Sequence, residues 1–251
     1  DAVVPTGLQP EILHISVQDP ALEGTVIRIE TRGLEAMLPT WLQLTVPGRM
    51  DSVLIDEATV TAIGSIRHFP LHRMAIDYLG QGEMTANAIL FQGAIASSPA
   101  SFTINISSEL PLILDEVQSG NVSRETPILV RGDGFVGPTE GNIVANLAGN
   151  FTTNSDVTEA VSAQLSVETI TPDDRTRASF KITTALGGVS SGTFVGTVQL
   201  ASNLKNGGQH TSGVKSATFN IQRPSILNLP DTPIYLGQIV PVKGLGFLGS
   251  A

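Results

Sequence analysis

The chain has 251 residues, of which 41% are hydrophobic and 15% are charged, so it is long and apolar enough to bury the cores of two ordinary domains. Its formal net charge of −9 opposes a nucleic-acid partner, which needs a surface rich in Lys and Arg, and it also opposes an anionic membrane surface. Because the sequence contains no cysteine, disulfides and thiolate catalysis are excluded.

Turn-forming residues indicate an all-β chain. The sequence has 25 glycines and 15 prolines, which mark frequent turns, and many Ser and Thr residues, which suit exposed strand faces. We therefore expect short strands and no long helix. No apolar run approaches the ~20 residues that a helix needs to cross a bilayer. Position 1 is Asp rather than Met, so we expect that a segment such as a signal peptide preceded it.

One pattern occurs three times along the chain. Residues 10–34, 111–135 and 224–247 each begin with a proline, followed by a short apolar strand, a polar turn and a second strand with alternating apolar side chains. The first two copies keep a constant offset of 101 positions, and the third is displaced by a further 112 or 113. Alternation with a period of two places the apolar side chains on one strand face, against a core. The pattern predicts a tandem array of similar domains.

Proline and glycine mark the ends of the strands in each copy. Proline suits a strand start, where no ladder N–H is required, and glycine at a strand end supplies a positive φ or a bulge that turns the next residue into the core. The first copy has only one of the two glycines and no phenylalanine. The expected structural residues are Pro10 and Gly33 in the first copy, Pro111, Gly132, Gly134 and Phe135 in the second, and Pro224, Gly244, Gly246 and Phe247 in the third.

The copies define predicted domains at residues 1–108 and 109–222, with the start of a third, incomplete repeat at residues 223–251. Each complete domain ends on an alternating strand only a few residues before the next proline, so we expect the domains to abut as a semi-rigid rod. The third copy is too short for a sandwich. We expect that the repeat continues beyond Ala251; the alternative is that this tail adds a strand to another chain.

Further strands are predicted between these ends, and about seven strands per repeat is the count of an immunoglobulin-like sandwich. Both repeats are expected to end in a strand, at residues 101–106 and 216–221. The others are residues 41–46, 58–63, 73–79 and 87–92 in the first repeat, and 143–147, 161–167, 178–184 and 193–201 in the second.

The strand that closes in Gly-x-Gly-Phe, at residues 132–135 and again at residues 244–247, resembles the IPT/TIG family of immunoglobulin-like domains. The resemblance covers both full repeats and the partial third, and it is strongest at this motif. It implies an all-β chain of tandem immunoglobulin-like (IPT/TIG-like) β-sandwiches. Transcription factors, plexin-type receptors, carbohydrate-active enzymes and bacterial surface proteins share this fold, so the resemblance leaves function open.

The sequence contains no convincing catalytic or metal-binding pattern. His68 and His72 have the spacing of a metal pair on a helix, but Pro70 lies between them and opposes a helix. Asp133 and Glu140 are candidate calcium ligands, although the Asp-x-Asp-x-Asp spacing of a calcium loop is missing. We expect no catalytic residue, no cofactor and no metal.

Two kinds of short motif have a structural and a functional interpretation. The segment from Arg131 to Asp133 spells Arg-Gly-Asp, a tripeptide known for integrin binding, but its glycine is already explained by the strand-ending turn, so we favour the structural role. Asn105, Asn121 and Asn150 begin Asn-x-Ser/Thr sequons, which matter only in a eukaryotic secretory pathway.

Aromatic residues make up 5% of the chain, which weighs against a sugar-binding platform, and we expect the single tryptophan, Trp41, to lie in the core of the first sandwich. The sequence thus favours a non-enzymatic, extracellular or cell-surface module, on a bacterial outer surface or in the periplasm. It would act as a spacer or an interaction rod for protein partners or further copies of itself.

The alternative is a glycan-binding or accessory domain of a secreted carbohydrate-active protein. It would gain support if Trp41 were exposed beside Tyr78. A DNA-binding immunoglobulin-like factor is opposed by the charge, and an enzyme is the class least expected.

Overall fold

The computed structural model divides the chain into two compact units. One contains Asp1–Leu110, Val136–Gly141 and Asn203–Gln209, and the other contains Pro111–Phe135, Asn142–Ser202 and His210–Ala251. The residues that the structure describes are 9–35, 38–58, 65–123, 126–170, 174–183, 185–186, 188, 190–223, 225–228, 239 and 243–245.

Two antiparallel sheets form the sandwich of the first unit. The elements are β1 (Glu11–Ser16), β2 (Val26–Arg32), β3 (Trp41–Thr45), β4 (Val53–Asp56), β5 (Ile66–Pro70), α1 (Arg73–Leu79), β6 (Gly82–Gln92), β7 (Ile95–Ala96) and β8 (Ala100–Ile106). One sheet has the strand order β1-β2-β5, and the other has the order β4-β3-β6-β7, with β8 also paired to β6.

Alternate residues of these strands build the first core. Ile27 and Ile29 of β2 face Leu42 and Leu44 of β3, and all four are fully buried. The residues between them on each strand are only partly buried, as the period of two requires. The core also takes side chains from β4, β5, β6, β8 and α1: Ile55, Phe69, Ala75, Ile76, Leu79, Ala86, Ala88, Leu90, Ile104 and Ile106.

Residues 73–79 form helix α1, so the prediction of a strand there is wrong. Met74, Ile76 and Tyr78 alternate as in a strand, but the buried residues are Ala75, Ile76 and Leu79, a helical spacing. His72 caps the helix, because its Nδ1 accepts a hydrogen bond from the Ala75 N–H at 3.2 Å. Gly80, with φ of +85°, ends it by donating its N–H to the Ile76 carbonyl. The caps at His72 and Gly80 stabilise the helix more than the alternating apolar residues favour a strand.

Other strand predictions for the first repeat are confirmed. The predicted strands at 41–46, 87–92 and 101–106 correspond to β3, to the second half of β6 and to β8. Most of the predicted strand at 58–63 lies outside the described residues. Strands β4 and β5 were not predicted.

A nine-stranded sheet carries the second repeat. The strands are β9 (Ile113–Val117), β10 (Gly120–Ser123), β11 (Pro127–Asp133), β12 (Gly141–Thr153), β13 (Thr158–Thr169), β14 (Arg177–Lys181), β15 (Gly192–Leu204), β16 (Gln209–Thr211) and β17 (Lys215–Gln222). Their order is β10-β17-β15-β12-β13-β14-β11-β9, with β16 paired to β15. The predicted strands at 143–147, 161–167, 193–201 and 216–221 are confirmed as parts of β12, β13, β15 and β17. The strand predicted at 178–184 is confirmed only for residues 178–181, because β14 ends at Lys181.

Phenylalanine rings fill the core of the second unit. Phe194 of β15 stacks on Phe219 of β17 with ring centroids 5.7 Å apart, and Phe180 of β14 meets Phe219 edge-on at 6.3 Å. Phe135 and Phe151 are also fully buried. Contacts between aromatic rings on different strands therefore tie the sheet around one core.

Two short strands follow the second repeat, β18 (Ser225–Asn228) and β19 (Lys243–Leu245), and they pair antiparallel. The predicted fold class, all-β with tandem immunoglobulin-like sandwiches, is confirmed. Among the residues that the structure describes, no helix has the length and apolar character needed to span a membrane.

Replacement of the helix cap tests the assignment of α1. We expect His72→Ala to lower the free energy of unfolding by about 1 kcal/mol, because the Ala75 N–H loses its acceptor. His72→Asn keeps an acceptor and should restore most of that loss. The measurement is urea unfolding followed by far-ultraviolet circular dichroism. His68→Ala is the control, because His68 is exposed on β5; a loss as large as that of His72→Ala would contradict the capping role.

Candidate binding face

The Gly-x-Gly-Phe segment of the second repeat brings β11 against the start of that repeat. Gly132 lies at a register shift in the pairing with β9, and Gly134 has φ of +78°. A Cβ would lie 2.0 Å from the Ile113 carbonyl oxygen at Gly132, and 2.0 Å from that of Pro111 at Gly134. Phe135 follows and is fully buried. These residues therefore act in packing.

The other copies use the same positions differently. In the first, Gly33 has φ of +81°, and Thr31 takes the place of the missing glycine. Thr31 is buried and donates its hydroxyl to the Ser65 carbonyl at 2.9 Å. Pro10 is buried immediately before β1. In the third copy, Gly244 lies in β19, whereas Pro224, Gly246 and Phe247 lie outside the described residues.

The Arg-Gly-Asp segment belongs to a strand rather than to a loop. Arg131 is paired with Glu116 of β9 on one side and with Arg177 of β14 on the other. Asp133 accepts a hydrogen bond from the N–H of Gly134 at 2.7 Å, within the strand-ending turn. Because the backbone pairs on both sides, the structure favours the structural role of this tripeptide.

All three sequon asparagines also lie on strands. Asn105 of β8 donates to the Asp19 carboxylate at 2.8 Å, and Asn121 of β10 accepts from the Asn220 amide at 3.1 Å. Asn150 is exposed on β12.

The candidate calcium ligands are engaged in turns. Glu140 is 3% exposed, and its carboxylate accepts hydrogen bonds from the Gly137 N–H at 3.0 Å and from the Thr25 hydroxyl. His68 lies on β5 and His72 caps α1, where its two ring nitrogens contact Ala75 and Leu54. The described part of the chain contains no group of three or more His, Asp or Glu residues that could hold a metal ion.

Trp41 lies on the outer face of the five-stranded sheet, so the prediction of a core tryptophan is wrong. It is half-buried and precedes the fully buried Leu42 on β3. Since successive side chains of a strand point to opposite faces, the burial of Leu42 and Leu44 directs Trp41 away from the core. The alternation of residues 41–44 in the sequence is the signal that indicates this outer position.

Trp41 stands in a group of side chains that we call the aromatic face. On either side of Trp41 in the sheet are Phe91 of β6 and Asp56 of β4. Two residues further along β3, on the same face, Gln43 lies between Ile89 of β6 and Leu54 of β4. Cross-strand neighbours have Cβ atoms about 4.5–5.5 Å apart, so these side chains form one continuous surface. The aromatic face comprises Trp41, Gln43, Leu54, Asp56, Ile89 and Phe91.

Polar side chains continue this surface along the strands. Gln43 donates its side-chain N–H to the Ser52 hydroxyl at 2.8 Å, and the Ser101 hydroxyl donates to Oδ1 of Asn87 at 2.5 Å. The surface thus presents two aromatic rings beside amides and hydroxyls. Such groups can stack on a ligand and exchange hydrogen bonds with it, but they supply no paired acid and base.

Tyr78 does not take part in the aromatic face. Its hydroxyl accepts from the Val46 N–H at 3.1 Å and donates to the Asp51 carbonyl at 2.8 Å, beyond the end of β3 opposite to Trp41. The Arg49 guanidinium lies 5.3 Å from the centre of its ring. The neighbour of Trp41 is Phe91, which the sequence could not indicate because the two residues lie on strands far apart in the chain.

No family model matches the sequence, and no curated protein matches it, so the IPT/TIG resemblance stays a prediction. Solved structures with fibronectin type III domains do match. The FN1–FN3 domains of chicken CNTN1 are 9% identical, with a TM-score of 0.27, and the match covers 88% of this chain and 70% of that one. A two-domain segment of chicken tenascin is 12% identical, with a TM-score of 0.23 and coverage of 84% and 99%.

A third match is SGBP-B from a complex xyloglucan utilization locus in Bacteroides uniformis. It is 16% identical, with a TM-score of 0.31, and the match covers 86% of this chain. It covers 53% of SGBP-B, so the chain spans about half of that protein.

The position of Trp41 can be tested against that of its neighbour in sequence. We expect Leu42→Ala to lower the free energy of unfolding by about 2–5 kcal/mol, because it leaves a cavity in the first core. Trp41→Ala should cost only about 1 kcal/mol, since it removes a half-exposed side chain from the outer face. Unfolding is followed by circular dichroism, because Trp41 is the only tryptophan. An equal or larger loss for Trp41→Ala would place Trp41 in the core after all.

Because the Pro111 carbonyl lies so close to Gly134, we expect a side chain at this position to destabilise the fold. Gly134→Ala combines a positive φ with a clash, whereas Gly188 has φ of +56° with no atom within 4 Å of an added Cβ. Gly188→Ala should therefore show only the cost of positive φ, about 1 kcal/mol. Gly134→Ala should cost about 1–3 kcal/mol more. Thermal unfolding of both variants measures the difference, and equal melting temperatures would show that the clash is relieved without cost.

Proposed function

We propose that this chain is a non-enzymatic, extracellular or cell-surface module that acts as a spacer and contacts partner proteins through an outer sheet face. The observation that carries the proposal is the aromatic face. Trp41 and Phe91 lie side by side on a sheet whose opposite face is packed into a closed core. Tryptophan and other aromatic residues are enriched at protein interfaces, where a few of them supply most of the binding energy.

The surroundings of these rings support a contact surface. Leu54 is 57% exposed beside Gln43, and Asp56 is exposed beside Trp41. An apolar centre with polar and charged residues at its margin is the usual composition of a binding patch. The rigid sheet holds these side chains in place, so binding would require little ordering of the chain.

The glycan-binding function is the second candidate, and the same tryptophan favours it. A half-exposed indole ring provides an apolar surface on which a sugar ring can stack, and the amide of Gln43 and the hydroxyl of Ser52 can bond to sugar hydroxyls. The glycan-binding hypothesis therefore requires Phe91, in place of Tyr78, as the second aromatic ring beside Trp41.

A titration of Trp41 fluorescence separates the two candidates. Soluble xylan, mannan, mixed-linkage β-glucan and xyloglucan are added to the chain, and the emission maximum of the single tryptophan is recorded. The protein-contact function predicts no shift with any of them. A saturable shift that Phe91→Ala weakens, while Val195→Ala on another sheet leaves it unchanged, would replace our proposal by the glycan-binding function.

The spacer role has a mechanical expectation. Each of the two compact units has its own core, so a chain held by its ends in optical tweezers should extend in one abrupt step for each unit. Leu42→Ala should lower the force of one step and leave the other unchanged. Gradual extension without steps at low force would contradict a mechanical role for these sandwiches.

A further inference from the structure

Strand β13 has a long edge that its neighbour covers only in part. β13 is 12 residues long and pairs with β12 from Thr158 to Val167. On its other side, β14 pairs only with the three residues from Val167 to Thr169. Within the described part of the chain, no strand pairs with this side of residues 158–166. We call residues 158–164 of this side the free edge.

Hydrogen bonds at both ends of β13 show which backbone groups point outwards. Thr153 donates its N–H to the Val157 carbonyl, so odd-numbered residues of β13 direct their backbone groups to β12. Ile170 donates its N–H to the Arg177 carbonyl, so even-numbered residues direct theirs to the side of β14. The N–H and C=O groups of Thr158, Ala160, Ser162 and Gln164 therefore point out of the free edge, and all four side chains are exposed.

The free edge lacks the features with which proteins usually block strand addition. It contains no proline and no lysine, and its pairing with β12 is regular throughout. Glu159 is its only charged residue. A partner strand would thus meet a straight ladder of donors and acceptors.

We propose that the partner strand is the free edge of a second copy of this chain, paired antiparallel about Val161. Two-fold symmetry then brings Thr158 opposite Gln164 and Ala160 opposite Ser162, so that each outward-pointing residue meets another. Glu159 lies opposite Ala163 rather than opposite itself, and Val161 faces its own copy in a β-branched pair, which suits a strand.

The same register gives a partner to an exposed valine in the hairpin turn before β13. Val157 is 62% exposed. In the pair of copies, Val157 of one copy lies level with Leu165 of the other. Leu165 lines a groove of about 300 Å³ at the point where β13 and β14 diverge. Leu165 and Phe180 are the apolar residues of its lining, and its volume leaves space for the turn of the second copy.

No like charges lie opposite each other in this register, because Glu159 lies opposite Ala163 and Asp156 of one copy comes level with Ser166 of the other.

This inference names one partner for the contact module proposed above, and in that respect it rests on that proposal. The pairing uses an edge of the second unit and not the aromatic face. Its failure would leave contacts with other proteins intact, and a failure of the aromatic face would leave the pairing intact.

Cysteine cross-linking provides the decisive test, because the natural chain has no cysteine. Val161→Cys places one thiol on the two-fold axis, where opposite Cα atoms of an antiparallel pair are close enough for a disulfide. The control is Val195→Cys, which is 56% exposed on β15. Under mild oxidation we expect the Val161→Cys chain to form covalent dimers on the order of tenfold faster than the control. Equal rates would overturn the proposal.

Two separate proline substitutions test which backbone N–H groups point out of the free edge. Ala160→Pro removes an N–H that points outwards, so the fold should persist while dimer formation, measured by sedimentation equilibrium at rising concentration, is lost. Ala163→Pro removes an N–H directed to β12 and should lower the melting temperature. A natural chain that stays monomeric at the highest concentration, or a dimer that Ala160→Pro leaves intact, would also overturn the proposal.

Discussion

Because successive residues of a strand point to opposite faces, every pair of side chains that a core takes from a strand leaves the residue between them outside. This constraint decides the role of most residues in both sandwiches. Leu42 and Leu44 enter the first core, and Trp41 is thereby directed to the outer face. A shift of β3 by one residue would exchange these roles, exposing two leucines and burying Gln43 without a partner. The burial of the leucines therefore also holds the aromatic face in place.

The same alternation governs the backbone. In an antiparallel ladder, each residue directs its N–H and C=O to one neighbour or to the other. β13 satisfies half of its groups with β12, and β14 ends too early to satisfy the rest. The outward-pointing groups of Thr158 to Gln164 follow from this geometry and do not depend on the identity of the side chains. The side chains determine only whether a second strand can pair with this edge. In residues 158–164 they are small or uncharged at every position except Glu159.

The glycine motif limits where this alternation can begin and end. At Gly132 and Gly134 the end of β11 comes so close to the Pro111 and Ile113 carbonyls that a side chain of any size would meet backbone atoms. The chain turns there, and Phe135 enters the core. Thr31 occupies the matching place in the first repeat and compensates with a hydrogen bond to Ser65. The Arg-Gly-Asp tripeptide is one consequence of this packing, because its glycine is the one at the bulge.

The amino-acid sequence by itself determined the all-β class, the repeat and most strands of the second repeat, because alternation, turn residues and glycine spacing are local properties. In the first repeat, the strand prediction for residues 73–79 was wrong, because capping by His72 and Gly80 selected a helix. Only the tertiary structure decided that Trp41 meets Phe91 and that β13 keeps a free edge. Both depend on which distant strands become neighbours and on where a neighbouring strand ends. Those outcomes are set by the packing of the whole core, which no short segment of the sequence contains.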